Sequence, residues 1–544
     1  MDSPHQRFER IGEKQIRKAP LLPPELIYTI ARQIPRKSDL LSFGLIHSSF
    51  HDVVIPYYLK FREVIMEVNN MRMWEYLVGD PLKLESVEVL RIAFNYDRFG
   101  KGIGPQPPLP ENVAYTEGDP LDKIQRALQG MIRLREILWD EESWRSKPRE
   151  EHQVVNKCKQ RFWAVVPRLC TRVDTITLNT RAQVEDDSCW FCGPLLSELH
   201  HLQSLRAFTG ELFSCDHNQS DLLVSQARTT QNSIVLAFSR LREFSLTGAE
   251  LQGLPPMQLP SLVALSLLGD GFNTSEDLLR MLDCCPRIHS LHLELKNSLP
   301  LVPYEIRGDS LPSLDIVPML TSFTGYYEDA QIIFFSPLPN GRLRRISRLK
   351  ILGYSADDLF PSLVLDFEDS ATGVGHDLLE LRLNTGYDRN QDTGKAERLL
   401  WVTWLRTIVK FCPELRGLII EIDAPYSEWY YLDETDDWRP TLSRLKDLAI
   451  LKLPNSFWRA EACDDSRTHV LGPIDQCLQW LPHLRLFFPA NDWALVIDPE
   501  GNKAVTPPKG EKLYHCGRAM ERNWAFYGDL SWNDFDEEIE RLLA

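Results

Sequence analysis

The chain of 544 residues has no apolar run near the ~20 residues that a membrane-crossing helix needs, which excludes a helical membrane span. Its first twenty residues, MDSPHQRFERIGEKQIRKAP, mix charges around no hydrophobic centre. The expectation is therefore no secretory leader and an intracellular protein, in the cytoplasm, the nucleus or both. Basic charge is in deficit: 61 Lys and Arg face 77 Asp and Glu, a formal net charge of −16. Such a surface repels phosphate backbones and anionic bilayers, so nucleic-acid and membrane partners are not expected. Eleven irregularly spaced cysteines form no disulfide framework and read as small buried hydrophobes in a reducing compartment.

Catalytic signatures are also missing. There is no Gly-x-Ser-x-Gly elbow and no His-Glu-x-x-His pair. Gly100-x-Gly102-x-Gly104 with Lys101 lacks the Gly-Lys-Ser/Thr order that cradles phosphate, and prolines follow where a helix would have to begin. Cys189-Trp-Phe-Cys192 has redox spacing, but Glu185-Asp186-Asp187 precedes it and opposes thiolate formation. Adding His200, His201, Cys215 and His217 supplies no second close cysteine pair for zinc. The expectation is a non-enzyme with no cofactor and no metal, any role of Cys189 and Cys192 being left open.

What is present begins at Leu21. Leu22-Pro23-Pro24-Glu25-Leu26 opens a helix, the prolines pre-setting the first turn and Glu25 meeting the positive end of the dipole. Leu26, Ile30 and Ile34 recur every four residues with Ile27 beside them. Pro35 stops that helix, and Ser38 and Asp39 suit the start of a second, which carries Leu40, Leu41, Phe43 and Ile46. Gly44 is expected to loosen its far end. Ser48 or Ser49 is expected to cap a third helix with Phe50, Val53 and Val54. So small a trio holds too little interior to stand alone.

The order Leu-Pro-x-Glu-Leu, isoleucines, Asp-Leu-Leu, then Ile46 and Phe50 resembles the F-box motif. Phe50 stands where that family most often has tryptophan and His47 where it often has cysteine. The resemblance implies a substrate-receptor subunit of SCF-type cullin-RING ubiquitin ligases. It also implies a Skp-type adaptor bound through Leu22, Pro23, Leu26, Ile30, Ile34, Leu40, Leu41, Phe43, Ile46 and Phe50. The other reading of this stretch is an ordinary helical lead-in to a larger fold.

The second signal is a cadence of apolar residues three and then two apart, as in Val173/Ile176/Leu178, Leu241/Phe244/Leu246, Leu262/Leu265/Leu267, Ile288/Leu291/Leu293, Ile346/Leu349/Ile351, Leu378/Leu381/Leu383 and Leu415/Leu418/Ile420. Weaker copies start at Leu134, Leu202, Leu320, Leu445 and Leu484, with successive copies about 21 to 39 residues apart. Helix-like runs ending in Cys-Pro precede several, so helix, turn and short strand form the unit. A unit of this kind leaves one side apolar, and only a neighbouring copy covers it. The region resembles irregular leucine-rich repeats; an irregular α/β domain with several Leu-x-Leu strands is the alternative.

The expected fold class is thus α+β or α/β, a three-helix F-box followed by a leucine-rich-repeat-like solenoid. The expected divisions are a polar tail (1–20), the F-box (21–60), a helical linker (61–83), the solenoid with inserted loops (84–490), and a C-terminal cap with an acidic tail (491–544). Residues flanking the strand leucines would line the concave face and meet an unknown protein substrate, among them His292, Glu294, Arg348, Lys350, Glu380, Arg382 and Glu421. Outside the receptor class, the alternative function is a non-degradative repeat scaffold or sensor.

Overall fold

The computed structural model describes residues 22–34, 37–68, 70–93, 120–140, 162–179, 199, 201–208, 240–248, 259–269, 278, 281–295, 317–330, 333, 344–355, 377–386, 396–423, 439–452, 480–490, 493–497, 513–514 and 524–528. They divide into two compact units, residues 1–202 and 203–544.

The first unit opens with helices α1 (Pro24–Gln33), α2 (Lys37–Leu45) and α3 (Ser48–Val53), then a π-helical turn, Val54–Leu59. The Pro23 carbonyl accepts the amides of Leu26 at 2.9 Å and Ile27 at 3.2 Å, which starts α1 where Pro24 has no N–H to waste. His47, not a serine, caps α3, its Nδ1 accepting the Ser49 amide at 3.2 Å. The helices close on Ile27, Ala31, Leu40, Val53, Val54 and Tyr58. Gly44 does not loosen α2. It is buried, and a Cβ there would lie 3.1 Å from Val54 Cγ1, so its lack of a side chain lets α2 pack close to the turn.

Residues 61–83, expected as a helical linker, are different. Phe61/Val64/Met66 carries the same three-then-two cadence as the later copies, and all three are buried. The segment forms strand β1 (Glu63–Met66), helix α4 (Met71–Val78) and the start of α5 (Pro81–Ser86). Asn70 and Asp80 cap these helices through Met73 N and Leu82 N, both at 3.1 Å. The first repeat therefore begins at Phe61 instead of Leu84. Strands β1, β2 (Val89–Ala93), β3 (Glu136–Asp140) and β4 (Thr175–Asn179) pair in parallel, and helix α6 (Pro120–Gly130) packs against α4. Trp139, Phe162 and Trp163 fill the interior, with ring centroids 5.3 to 5.8 Å apart.

The second unit is a ladder of parallel strands: β5 (Ser204–Phe208), β6 (Glu243–Gly248), β7 (Ala264–Gly269), β8 (Ser290–Leu295), β9 (Ser322–Tyr326), β10 (Arg348–Ser355), β11 (Glu380–Gly386), β12 (Gly417–Asp423), β13 (Ile450–Lys452) and β14 (Leu486–Ala490). The pairing register superimposes the cadence, so that Phe244, Leu265, Leu291 and Phe323 stand side by side and buried. One column over, Gly325 takes a leucine's place: a Cβ there would lie 2.6 Å from Phe323 Cζ, so the phenylalanine ring already uses that space. The copy before β13 runs from Leu448 to Leu451, three residues after the expected start at Leu445. Helix α7 (Ala396–Phe411) buries Trp404, Leu405 and Ile408 before β12.

Each strand is locked just upstream of its ladder. The Arg242 carbonyl accepts the amides of Val263 at 2.7 Å and Ala264 at 2.9 Å, and the same two-amide clasp recurs between successive copies through β14. Strand direction then reverses: β15 (Trp493–Ile497) pairs antiparallel with β14 and with β17 (Trp524–Gly528), which also pairs with β16 (Leu513–Tyr514). In each unit the parallel copies make a leucine-rich-repeat-like α/β arrangement, because neighbouring copies cover each other's apolar side.

Candidate protein-docking surfaces

Two surfaces hold the residues singled out in the sequence. On α1, Ile27 and Ala31 turn inward while Leu26 and Ile30, one position earlier, stay 47% and 37% exposed. On α2 the buried pair is Leu40 and Gly44, and Leu41 and Leu45 are exposed. A step of about 100° per residue separates the two stripes on each helix, so one helix carries a core face and an apolar outer face together. Ile46, at 68%, is among the most exposed large apolar residues described. Leu45 belongs to the outward stripe, although the sequence reading passed over it.

Of the expected adaptor-binding residues, Leu26, Ile30, Leu41 and Ile46 are thus outward, and Pro23 is exposed beside them in sequence. Leu22, Ile34, Phe43 and Phe50 are half-buried against the helical core, with the Phe43 and Phe50 rings stacked at 4.8 Å. Leu40 is only 1% exposed and belongs to the core, so it holds the surface up without being part of it.

The trio is anchored to the first repeats. Arg62 Nη1 donates to the Ile34 carbonyl at 3.3 Å, and Arg133 Nη2 donates to the Arg32 carbonyl at 2.9 Å. Two guanidinium groups thereby satisfy carbonyls at the negative end of α1. Both also pair with Glu88, Arg62 at 2.7 Å, and Arg32 pairs with Glu85. Burial pushes the Arg133 guanidinium below its ordinary pKa, and Glu88 pulls it back up. What the sequence presented as a linker is a braced joint.

The second surface is the strand face opposite the leucines in the second unit. There the register aligns Ser245, Ser266, His292, Thr324, Lys350 and Arg382 across β6 to β11. His292 Nδ1 lies 3.3 Å from Ser266 Oγ, and its Nε2 lies 3.6 Å from Glu294 Oε2. Burial holds the His292 imidazole below its usual pKa, partly offset by Glu294. Arg348 and Lys350 share β10. Glu380 is buried and paired with Arg382, so it braces that arginine and offers nothing to solvent. Glu421 lies on β12, its side chain outside the description.

This face does not stay open along the whole ladder. Ile419 and Lys452, in register with Arg382, are 1% and 4% exposed. In the neighbouring column Ile450 on β13 and Leu486 on β14 are apolar and buried as well. Cys189, Cys192, His200, Cys215 and His217 lie outside the described residues.

Among the described residues, no group of three His, Cys, Asp or Glu could hold a metal, and no helix is long and apolar enough to cross a membrane. The described thiols are not activated: burial pushes Cys170 and Cys285 up to about 12.

No protein-family model matches the chain, and no curated protein matches it. Among solved structures, it is similar to the leucine-rich repeat-containing protein LegL7 from Legionella pneumophila, at 13% identity and a TM-score of 0.31, over 68% of this chain and 93% of that one. It is also similar to TLR13 in the TLR13-ssRNA13 complex, at 11% identity and a TM-score of 0.29, over 69% of this chain and 57% of that one. The repeat assignment rests on the stacked parallel cadence described above.

Proposed function

We propose that this chain is a substrate-recognition subunit of an SCF-type E3 ubiquitin ligase, its N-terminal helices docking a Skp-type adaptor and its repeats binding a protein target. The observation that carries the reading is the outward apolar stripe of Leu26, Ile30, Leu41, Leu45 and Ile46, on a segment that resembles the F-box motif. A helical trio with so small a core gains nothing from exposing five large apolar residues unless a partner covers them. Each buried Leu or Ile contributes about 1.5 to 3 kcal/mol, enough for a few anchors to carry the contact. Ubiquitin transfer then belongs to other subunits. This chain contributes position, raising the effective concentration of a target lysine.

The test is co-expression of the full chain with a Skp-type adaptor, followed by size-exclusion chromatography with light scattering. A one-to-one complex is expected. Leu22→Ala with Pro23→Ala should weaken it, with some loss of stability because Leu22 packs on the helical core, and Ile30→Asp with Ile46→Asp should abolish it at unchanged melting temperature. Undiminished co-purification of both variants would overturn the reading. Removal of residues 1–60 is a poorer test, because it strips Arg62 and Arg133 of the carbonyls they satisfy.

A further inference from the structure

The positions one and three residues upstream of each strand form an edge of the second unit that neither surface above includes. From β6 to β10 the residues there are Arg240 and Arg242, Ser261 and Val263, Arg287 and His289, Met319 and Thr321, then Arg345 and Ser347. Four arginines and a histidine occupy ten positions, with no carboxylate among them, in a chain whose formal net charge is −16. Arg240, Arg242 and Arg287 are exposed, and the Arg345 side chain is 88% exposed. Beyond β10 the residues three before β11, β12 and β13 are acidic, Asp377, Glu414 and Asp447, and those one before are Leu379, Arg416 and Ala449. The row three residues upstream thus carries only basic charge from β6 to β10 and only acidic charge from β11 to β13.

The edge is also rigid. The two-amide clasp fixes Arg242, Val263, His289, Thr321 and Ser347 at successive rungs, and the His289 ring holds the Arg287 carbonyl at 2.7 Å. Neighbouring strands stand about 4.8 Å apart, so the cations of β6, β8 and β10 recur every ~10 Å. An extended peptide covers that distance in about three residues. The acids nearby in sequence are Glu243, which accepts from Ser204 at 3.0 Å, Asp283, and Asp377, 3.8 Å from Arg345.

We infer that the upstream edge of β6 to β10 is a docking surface for an acidic, extended segment of a partner protein. Charge complementarity selects the occupant: an extended segment with a carboxylate about every third residue meets the cations of β6, β8 and β10 in turn. The inference goes beyond adaptor docking and is tested without the adaptor.

Fluorescence anisotropy of a fluorescein-labelled hexaglutamate peptide against the full chain tests it. Arg240→Glu, Arg287→Glu and Arg345→Glu together should lower affinity at least tenfold. Arg406→Glu, Arg444→Glu and Lys446→Glu together, exposed elsewhere and changing net charge by the same amount, should lower it less than twofold. The triple Arg→Gln variant at the edge should fall between wild type and the Glu variant, and matching melting temperatures show that each protein is folded. Equal losses in the two Glu variants, no loss at the edge, or no binding by the wild type would overturn the inference. So would tighter binding of an oligothymidylate than of the peptide.

Discussion

The N-terminal helices and the strand ladder use the same apolar residues in opposite ways. In the ladder every leucine of the cadence is buried, because the next copy always stands beside it. On α1 and α2 half of the apolar residues have no such neighbour, and Leu26 and Leu41 face outward next to Ile27 and Leu40, which do not. A repeat covers itself; the helical trio leaves a face to be covered.

The sharpest way to break this comparison is to treat equivalent leucines alike. Leu291→Ala in the ladder and Leu40→Ala in the helical core should each cost about 2 to 5 kcal/mol in chemical denaturation. Leu41→Ala, one residue from Leu40, should change stability by no more than about 0.5 kcal/mol while weakening adaptor binding. Equal destabilisation by Leu40→Ala and Leu41→Ala would erase the distinction between core and outer face.

A second variant concerns the joint between trio and repeats. Glu88→Ala leaves Arg62 and Arg133 beside each other without their shared carboxylate, both largely buried. A loss of about 3 kcal/mol is expected, near the lower end for breaking a buried pair. Native-state hydrogen exchange should show it first at the C-terminal end of α1. A loss confined to the strands would mean that the trio is not braced through Glu88.

The smallest effect is expected at His292. Its pKa is lower folded than unfolded, so the unfolded chain binds the extra proton first. Stability from this group is intact above the unfolded value near 6.5 and declines as pH falls from there toward the folded value. His292→Asn should remove that part of the pH dependence between pH 7 and 5. Because the ring is about one-third exposed, solvent screening keeps the effect small. An unchanged slope would show that the ring titrates as it does in the unfolded chain.

The helical trio and the three-then-two cadence were legible in the residues themselves, since periodicity reports which side chains share a face. Phe61/Val64/Met66 was missed for the reason that makes short apolar runs ambiguous: the helix-like spacing of Val64, Ile65, Val68 and Met71 overlaps a strand. The His47 cap was missed because serine is the commoner cap and two serines follow it.

By itself, the sequence determined that α1 and α2 are amphipathic, that the repeats need one another, and that the protein is strongly acidic. Only the tertiary structure decided which of two adjacent apolar stripes on each helix becomes core. One rotation of about 100° separates them, and the sequence marks both as apolar. It also decided that Glu380 is buried beside Arg382 and that arginines from three distant copies share one edge. Stacking register places those groups together, and register follows from pairing between strands that lie far apart in the chain.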